Sequence, residues 1–217
     1  KSTPAYTRGS ATVPECNDLR RCRQQIATSS ILIALALTST PVPAKDAHSA
    51  TGLPRSSAGK VLKTIEDLPN FHEVHPFLYR SGEPTEAGLA TARDKYNIKT
   101  LIDLRGAPKY TEAEKAWAKK LGMNYVNLPM SSEPPTKAQV TTMMKAIREA
   151  RDKKTPGAVL VHCAHGSDRT GCMIGIWRVM EDNYTYDQAY AEMRRYWFTP
   201  KFTQLSGAVR KAAEKSN

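Results

Sequence analysis

From residue 71 onward the apolar positions follow two rhythms that take turns along the chain: short alternating or unbroken runs, and stripes recurring every three and four residues. The runs predict strands and the stripes predict helices. Phe71 to Arg80 (FHEVHPFLYR) alternates apolar and polar positions around Pro76 and predicts a short hairpin. Lys99 to Leu104 and Tyr125 to Leu128 are compact strand candidates, and Ala158 to His162 (AVLVH) is the continuous apolar run of a central strand buried on both faces. Pro84-Thr85 opens a helix through Leu89 and Ala92, and Thr111 is the expected cap of a helix ending at Gly122. Thr136 caps a third, whose Val140, Met143, Met144 and Ile147 recur at i, i+3, i+4 and i+7 as a core stripe. Thr170 to Met180 has the spacing of a buried helix, and Thr185-x-x-Gln188 is a capping box opening another through Tyr190 and Met193. Tyr190, Tyr196, Trp197, Phe198 and Phe202 are expected in the core and the C-terminal packing.

Strands that alternate with helices predict an α/β fold with a parallel-rich central sheet and helices on both faces. In such sheets function sits at the carboxyl ends of the strands. The N-terminal residues follow another logic. Arg20, Arg21 and Arg23 form a basic stretch, Ile26 to Leu37 an uncharged apolar run, and Val42-Pro43-Ala44 a small-residue pattern before Lys45. That order is the one found in a cleaved secretory signal peptide and predicts a periplasmic or secreted protein; a disordered leader, or a translation start placed upstream of the true one, is the alternative. The run is well short of the roughly 20 residues that span a bilayer, so no stable membrane span is expected in the mature chain. Residues 1–44 are therefore read as leader, 45–60 as a linker rich in Ala, Ser, Gly and Thr, and 61–217 as one domain.

Composition narrows the classes. With 40% hydrophobic and 24% charged residues the chain is neither broadly disordered nor a multi-span membrane protein. Its formal charge is +11, and cleavage after Ala44, which removes five basic and two acidic residues, leaves +8. A basic domain suits phosphorylated or otherwise acidic partners without choosing among them. Four cysteines are too few for a disulfide scaffold, and Cys16 and Cys22 leave with the leader.

Candidate chemistry concentrates in VHCAHGSDRTG, residues 161–171. Cys163 ends the predicted central strand and Arg169 begins a helix, with Ala164, His165, Gly166, Ser167 and Asp168 between them. A loop of successive backbone N–H groups running into a helix N-terminus is an anion-binding nest, and a tetrahedral oxyanion fits it. Arg169 offers a planar fork of donors for two phosphate oxygens, and the same positive field favours a Cys163 thiolate facing the phosphorus. Gly166 permits the tight backbone path.

The segment resembles the signature H-C-x-x-G-x-x-R-T-G of cysteine-dependent protein tyrosine and dual-specificity phosphatases, with His162, Cys163, Gly166, Arg169, Thr170 and Gly171 at the specified positions. LYRSGEP at Leu78 to Pro84, LIDLR at Leu101 to Arg105 and NLPM at Asn127 to Met130 are similar to landmarks of the small bacterial dual-specificity-like members. The resemblance implies Cys163 as phosphocysteine nucleophile, Arg169 as phosphate clamp, Thr170 as the hydroxyl assisting the departing thiolate, and His162 as an organiser of the loop. It implies a phosphorylated protein or small phosphate ester as substrate, no metal or organic cofactor, and no nucleic-acid partner. The family usually takes its general acid from an Asp on a separate loop, and here no Asp follows Leu128 in that segment. Glu133 is the favoured acid, with Asp168 the other candidate. Two other readings stay open: a phosphate-binding module without an effective acid, and a sulfurtransferase of the rhodanese type. His162, Cys163 and His165 lack the paired spacing of a zinc site. Asp103 and Arg105 are expected to form structural ion pairs or hydrogen bonds at a strand end, as is Arg80, and Cys172 is expected in the core, with a resolving role against oxidised Cys163 as the alternative.

Overall fold

The computed structural model describes residues 66–216. The leader, the linker and the first residues of the predicted domain lie outside the described residues. Among those described, a five-stranded sheet runs in the order β1-β2-β5-β3-β4, with β1 (His72–His75), β2 (Leu78–Ser81), β3 (Ile98–Asp103), β4 (Asn124–Asn127) and β5 (Ala158–His162). Only the β1–β2 hairpin is antiparallel; β2–β5, β5–β3 and β3–β4 are parallel. The helices are α1 (Glu86–Tyr96), α2 (Pro108–Lys120), α3 (Lys137–Arg151), α4 (Asp168–Glu181), α5 (Tyr186–Arg195) and α6 (Thr203–Ser216).

The AVLVH run is the middle strand, and its alternation divides two cores. Val159 and Val161 belong to a core that also holds Met143, Met144 and Ile147 of α3, the buried face of α4, and Leu205 and Val209 of α6. Ala158 and Leu160 face the other way, toward Leu89 and Ala92 of α1 and Ala118 of α2. Burial on both faces removes the need for any polar position until the strand ends, which is why the run is unbroken. The α/β fold with helices on both faces is therefore as the pattern predicts.

Capping chemistry starts the helices. Thr85 accepts from Gly88 N–H ahead of α1, and reciprocal capping boxes start α3 (Thr136 with Gln139) and α5 (Thr185 with Gln188). One expected cap is displaced: α2 begins at Pro108 behind Ala107, so Thr111 lies inside the helix with its hydroxyl on Pro108 O at 3.4 Å. Proline at the first helical position has no N–H to leave orphaned and has φ already set, and this overrides the threonine signal. Helix α6 is an element the pattern does not predict; its buried apolar residues are Leu205, Val209 and Ala213, with Ser206 beside them, too sparse to register as a period.

Candidate active site

Strand register brings the functional segments together. Ser81 at the end of β2 and Asp103 at the end of β3 both stand opposite His162 at the end of β5. The segments leaving these strands converge at one edge of the sheet, where parallel sheets place their sites. Cys163, the first residue past β5, is 2% exposed, and the chain then turns through Ala164 to Ser167 into α4. Gly166 makes the turn possible: its φ is +71°, and a Cβ there would lie 2.5 Å from the Ser81 carbonyl. Any side chain would meet both a backbone clash and an unfavourable conformation. From the other side, a Cβ on Gly82 would come within 3.1 Å of Ala164 O, so the LYRSGEP segment is the floor on which the loop rests.

Three successive loop carbonyls are held from below, two from that segment and one from the turn ahead of β1. Ala164 O accepts from Glu83 N–H at 3.0 Å, His165 O from Asn70 Nδ2 at 3.2 Å, and Gly166 O from Arg80 Nη2 at 2.7 Å. The opposite side of the loop faces the cysteine, where Gly166 N–H donates to Cys163 Sγ at 3.3 Å. Burial alone would push the Cys163 thiol up, but hydrogen bonding from Thr170, the Arg169 charge and the Gly166 N–H outweigh it and hold the thiol below its ordinary range. The Thr170 hydroxyl is buried without a regular hydrogen bond, and the sulfur is the group that draws it. Arg169, in the first turn of α4, donates from Nη1 to Leu104 O and Met130 O, both at 3.4 Å, and so ties the loop to the segments after β3 and β4.

Behind the cysteine lies a buried ionic cluster. His162 Nε2 meets Glu114 Oε1 at 2.8 Å and Asp103 Oδ1 at 3.7 Å. Arg105 donates to Asp103 Oδ1 through Nε at 2.9 Å and bridges Asp103 Oδ2 (2.8 Å) and Glu114 Oε2 (2.5 Å) through Nη2; Nη1 pairs with Glu83 Oε1 (2.5 Å). The Tyr125 hydroxyl adds a donor to Asp103 Oδ2 at 2.9 Å. Burial would lower the His162 pKa, yet its hydrogen bond to Glu114 and the Glu114 and Asp103 charges raise it above the ordinary value, which favours an imidazolium. Asp103, Glu114 and His162 offer ligand atoms within 4.8 Å of one another, but Arg105 already donates to both carboxylates and takes the place a cation would need. The expected ion pair of Asp103 and Arg105 is present, and Glu114 joins it from α2.

The two candidate acids sit differently. Asp168 Oδ1 accepts Thr199 N–H at 2.7 Å, so this carboxylate already anchors the segment after α5. Glu133 lies on the exposed stretch beyond Met130; its N–H donates to Ser131 Oγ at 3.1 Å, while its carboxylate has no partner among the described residues. His165 is exposed, and does not join Cys163 in a ligand cluster among the described residues. Cys172 is fully buried, its thiol donates to Leu205 O at 3.3 Å, and burial pushes it up to about 12, which suits the core residue and not a reactive partner. Trp197 is a correction: it is 67% exposed with φ +64°, while its neighbour Phe198 is fully buried. The left-handed residue after α5 turns the indole outward, a reversal that an aromatic-rich sequence does not signal.

A family model described as "DSP-PTPase phosphatase fused to NAD+ Kinase" matches residues 60–211. The chain belongs to this phosphatase family. Among curated proteins this family member is 27% identical over 152 residues to the dual specificity protein phosphatase TpbA of Pseudomonas aeruginosa, covering 70% of the chain and 65% of TpbA. It is 30% identical over 119 residues to the inositol diphosphatase DSP5 of Arabidopsis thaliana, covering 52% of the chain and 55% of that protein. It thus spans less than two thirds of the length of either relative. The crystal structure of P. aeruginosa TpbA in complex with pTyr superposes with a TM-score of 0.59 at 21% identity, covering 75% of the chain and 98% of TpbA there, so the two share a fold. In this phosphatase family member the motif from His162 to Gly171 runs from the last residue of the central strand into the first turn of α4. Asn70, Arg80, Glu83 and Glu114, which surround that signature, had not been singled out as functional from sequence, although Arg80 and Glu83 stand inside the LYRSGEP landmark.

Proposed function

We propose that this protein is a cysteine-dependent phosphatase that hydrolyses phosphotyrosine and other phosphomonoesters through a phosphocysteine intermediate. The observation that carries the reading is Cys163 itself: a thiol held below its ordinary range, under a backbone N–H, at the head of a nest opened by Arg169. The Cys163 thiolate attacks phosphorus, an S–P bond forms, and the P–O bond to the leaving group breaks. Arg169 grips two of the equatorial oxygens as charge builds on them, and the loop N–H groups supply the remaining donors. The leaving oxygen takes a proton from Glu133, whose carboxylate is uncommitted, whereas Asp168 is engaged by Thr199. Water then cleaves the S–P bond, the proton it loses returns to Glu133, and the Thr170 hydroxyl stabilises the departing thiolate.

The relatives support the substrate class: TpbA is named a dual specificity protein phosphatase and has been crystallised with pTyr, and DSP5 is named an inositol diphosphatase. Membership of this family leaves nothing in favour of a rhodanese-type sulfurtransferase. We place the enzyme in the periplasm or outside the cell, on the order of basic, apolar and small residues before Lys45. The reading is tested by Cys163→Ser, which is expected to lose more than about 10³-fold in turnover of para-nitrophenyl phosphate, because the hydroxyl is not ionised near neutral pH, while phosphate or vanadate binding survives in the intact nest. Turnover within tenfold of wild type in that variant contradicts it.

A further inference from the structure

Arg80 lies beneath the phosphate loop and has no ordinary reason to be there. Its side chain is fully buried on β2, packed over the Tyr196 ring at 4.4 Å and close under Gly171 at the start of α4. Among the described residues its one hydrogen bond goes to Gly166 O, and both Nε and Nη1 are buried without a partner. A buried guanidinium is ordinarily matched by a carboxylate that accepts two of its donors. Among the described residues none does so here, although Arg105, also buried, pairs with three acids at close range and the buried Arg178 with two. The groups whose charges reach Arg80 are Glu192 of α5, Tyr196 after it, Arg178 of α4, which repels it, and Cys163 on the far side of the loop.

The single hydrogen bond is placed where it matters. In a planar trans peptide the C=O and the following N–H point in opposite directions. Holding Gly166 O down toward Arg80 therefore turns Ser167 N–H up, away from the floor. The same argument applied to Ala164 O and His165 O turns His165 N–H and Gly166 N–H up, and for Gly166 the result is seen directly in its bond to Cys163 Sγ. Of the three floor donors only Arg80 carries charge, and it sits in a low-dielectric layer where salt screens little.

We propose that Arg80 is a positioning residue of the phosphate site, a buried cation that aims Ser167 N–H into the cradle and whose unmatched charge is balanced by the anion bound on the other side of the loop. The proposal rests on the reading of residues 163–169 as a phosphate cradle, but not on turnover. It assigns the cradle a second cation besides Arg169, one that reaches the anion through the peptide it orients and through its field, without touching it.

The test is inorganic phosphate affinity, measured by calorimetry in a Cys163→Ser background so that no chemistry intervenes. Arg80→Met keeps an unbranched side chain in the space while removing the charge and the donor, and is expected to weaken phosphate binding by at least tenfold. Arg80→Lys keeps a charge and one donor toward Gly166 O and is expected to restore part of the loss, a rescue that mere space-filling by methionine does not give. With the cysteine restored, Arg80→Met is expected to raise KM for para-nitrophenyl phosphate more than it lowers kcat. A folded Arg80→Met protein that binds phosphate as tightly as its parent overturns the proposal. Should Arg80→Met fail to fold, the decision passes to the wild-type protein: a phosphate titration followed by nitrogen NMR is expected to shift the Arg80 Nε–H signal together with the Ser167 amide, and an unmoved Arg80 signal overturns it. Failure of Cys163→Ser to lose turnover strikes the phosphatase reading alone, and unchanged anion affinity in Arg80→Met strikes this one alone.

Discussion

The loop after β5 and the loop after β4 both serve the proposed reaction, and they are built in opposite ways. From Cys163 to Ser167 the backbone is fixed by three carbonyl contacts, by the left-handed Gly166 pressed on Ser81, and by the start of α4. After β4 the chain is anchored as far as Met130, whose N–H reaches Leu104 O at 3.0 Å and whose carbonyl receives Arg169, and then Ser131 to Pro134 stand exposed. A transition state needs its charge stabilisers in place before it forms, so the anion site is fixed by buried groups. A proton donor needs only to come within hydrogen-bond reach of the leaving oxygen once substrate is bound, and an exposed loop suffices for that.

Arg169 joins the two loops through its bond to Met130 O, so its replacement tests whether they are separable. Arg169→Lys keeps the charge but loses the fork, and is expected to lower kcat/KM by about 10²- to 10³-fold with every substrate, whatever the leaving group. Near-wild-type kinetics in that variant would show that neither the grip on phosphate nor the tie to Met130 matters.

Glu114→Gln probes the fixed side from behind. Removing one charge of a buried ionic cluster is expected to cost about 3 kcal/mol of stability, read as a lower midpoint in urea unfolding. The sign of the pH dependence follows from His162, whose folded pKa is raised above the ordinary 6.5, against burial, by Glu114 and Asp103. Its contribution to stability is complete below the unfolded value and is lost as pH rises through the folded one. Wild type is therefore expected to lose that increment over this window, and Glu114→Gln to show a flatter profile. An equal slope in both proteins would remove Glu114 as the partner that holds the imidazolium.

Glu133→Gln probes the exposed side and carries the most selective effect. Hydrolysis of an aryl phosphate with a poor leaving group is expected to slow by about 10²-fold, while an ester whose phenolate leaves readily is nearly unchanged. The same selectivity in Asp168→Asn instead would move the acid into the phosphate loop and erase the contrast between the two loops.

The part of the site that was legible in sequence is the part that is contiguous. Cys163, Gly166, Arg169 and Thr170 fall within one strand-to-helix turn, and the chemistry of a nest requires them there in that order. Their supports come from far away: Arg80 lies 86 residues before Gly166, Asn70 95 before His165, and Glu114 48 before His162, brought in by β2, by the turn ahead of β1, and by α2. No local spacing connects them; the tertiary fold does, through the strand register and the packing of α2 and of the turn ahead of β1. The strands and most helices were legible because Val159 to Val161 and the Met143–Ile147 stripe are strong periodic signals. Where a proline or a left-handed residue intervened, as at Pro108 and Trp197, local backbone constraint overrode the pattern.

Everything proposed for the site depends on a loop that favours the Cys163 thiolate. The most direct measurement is the rate of its alkylation by iodoacetamide as a function of pH, followed by mass spectrometry on the Cys163 peptide, with Cys172 as the buried internal reference. Cys163 is expected to react with a midpoint below that of an ordinary cysteine thiol, phosphate to slow the reaction, and Cys172 to stay unmodified in the folded protein. A Cys163 midpoint at or above that of an ordinary thiol, with no protection by phosphate, would contradict it.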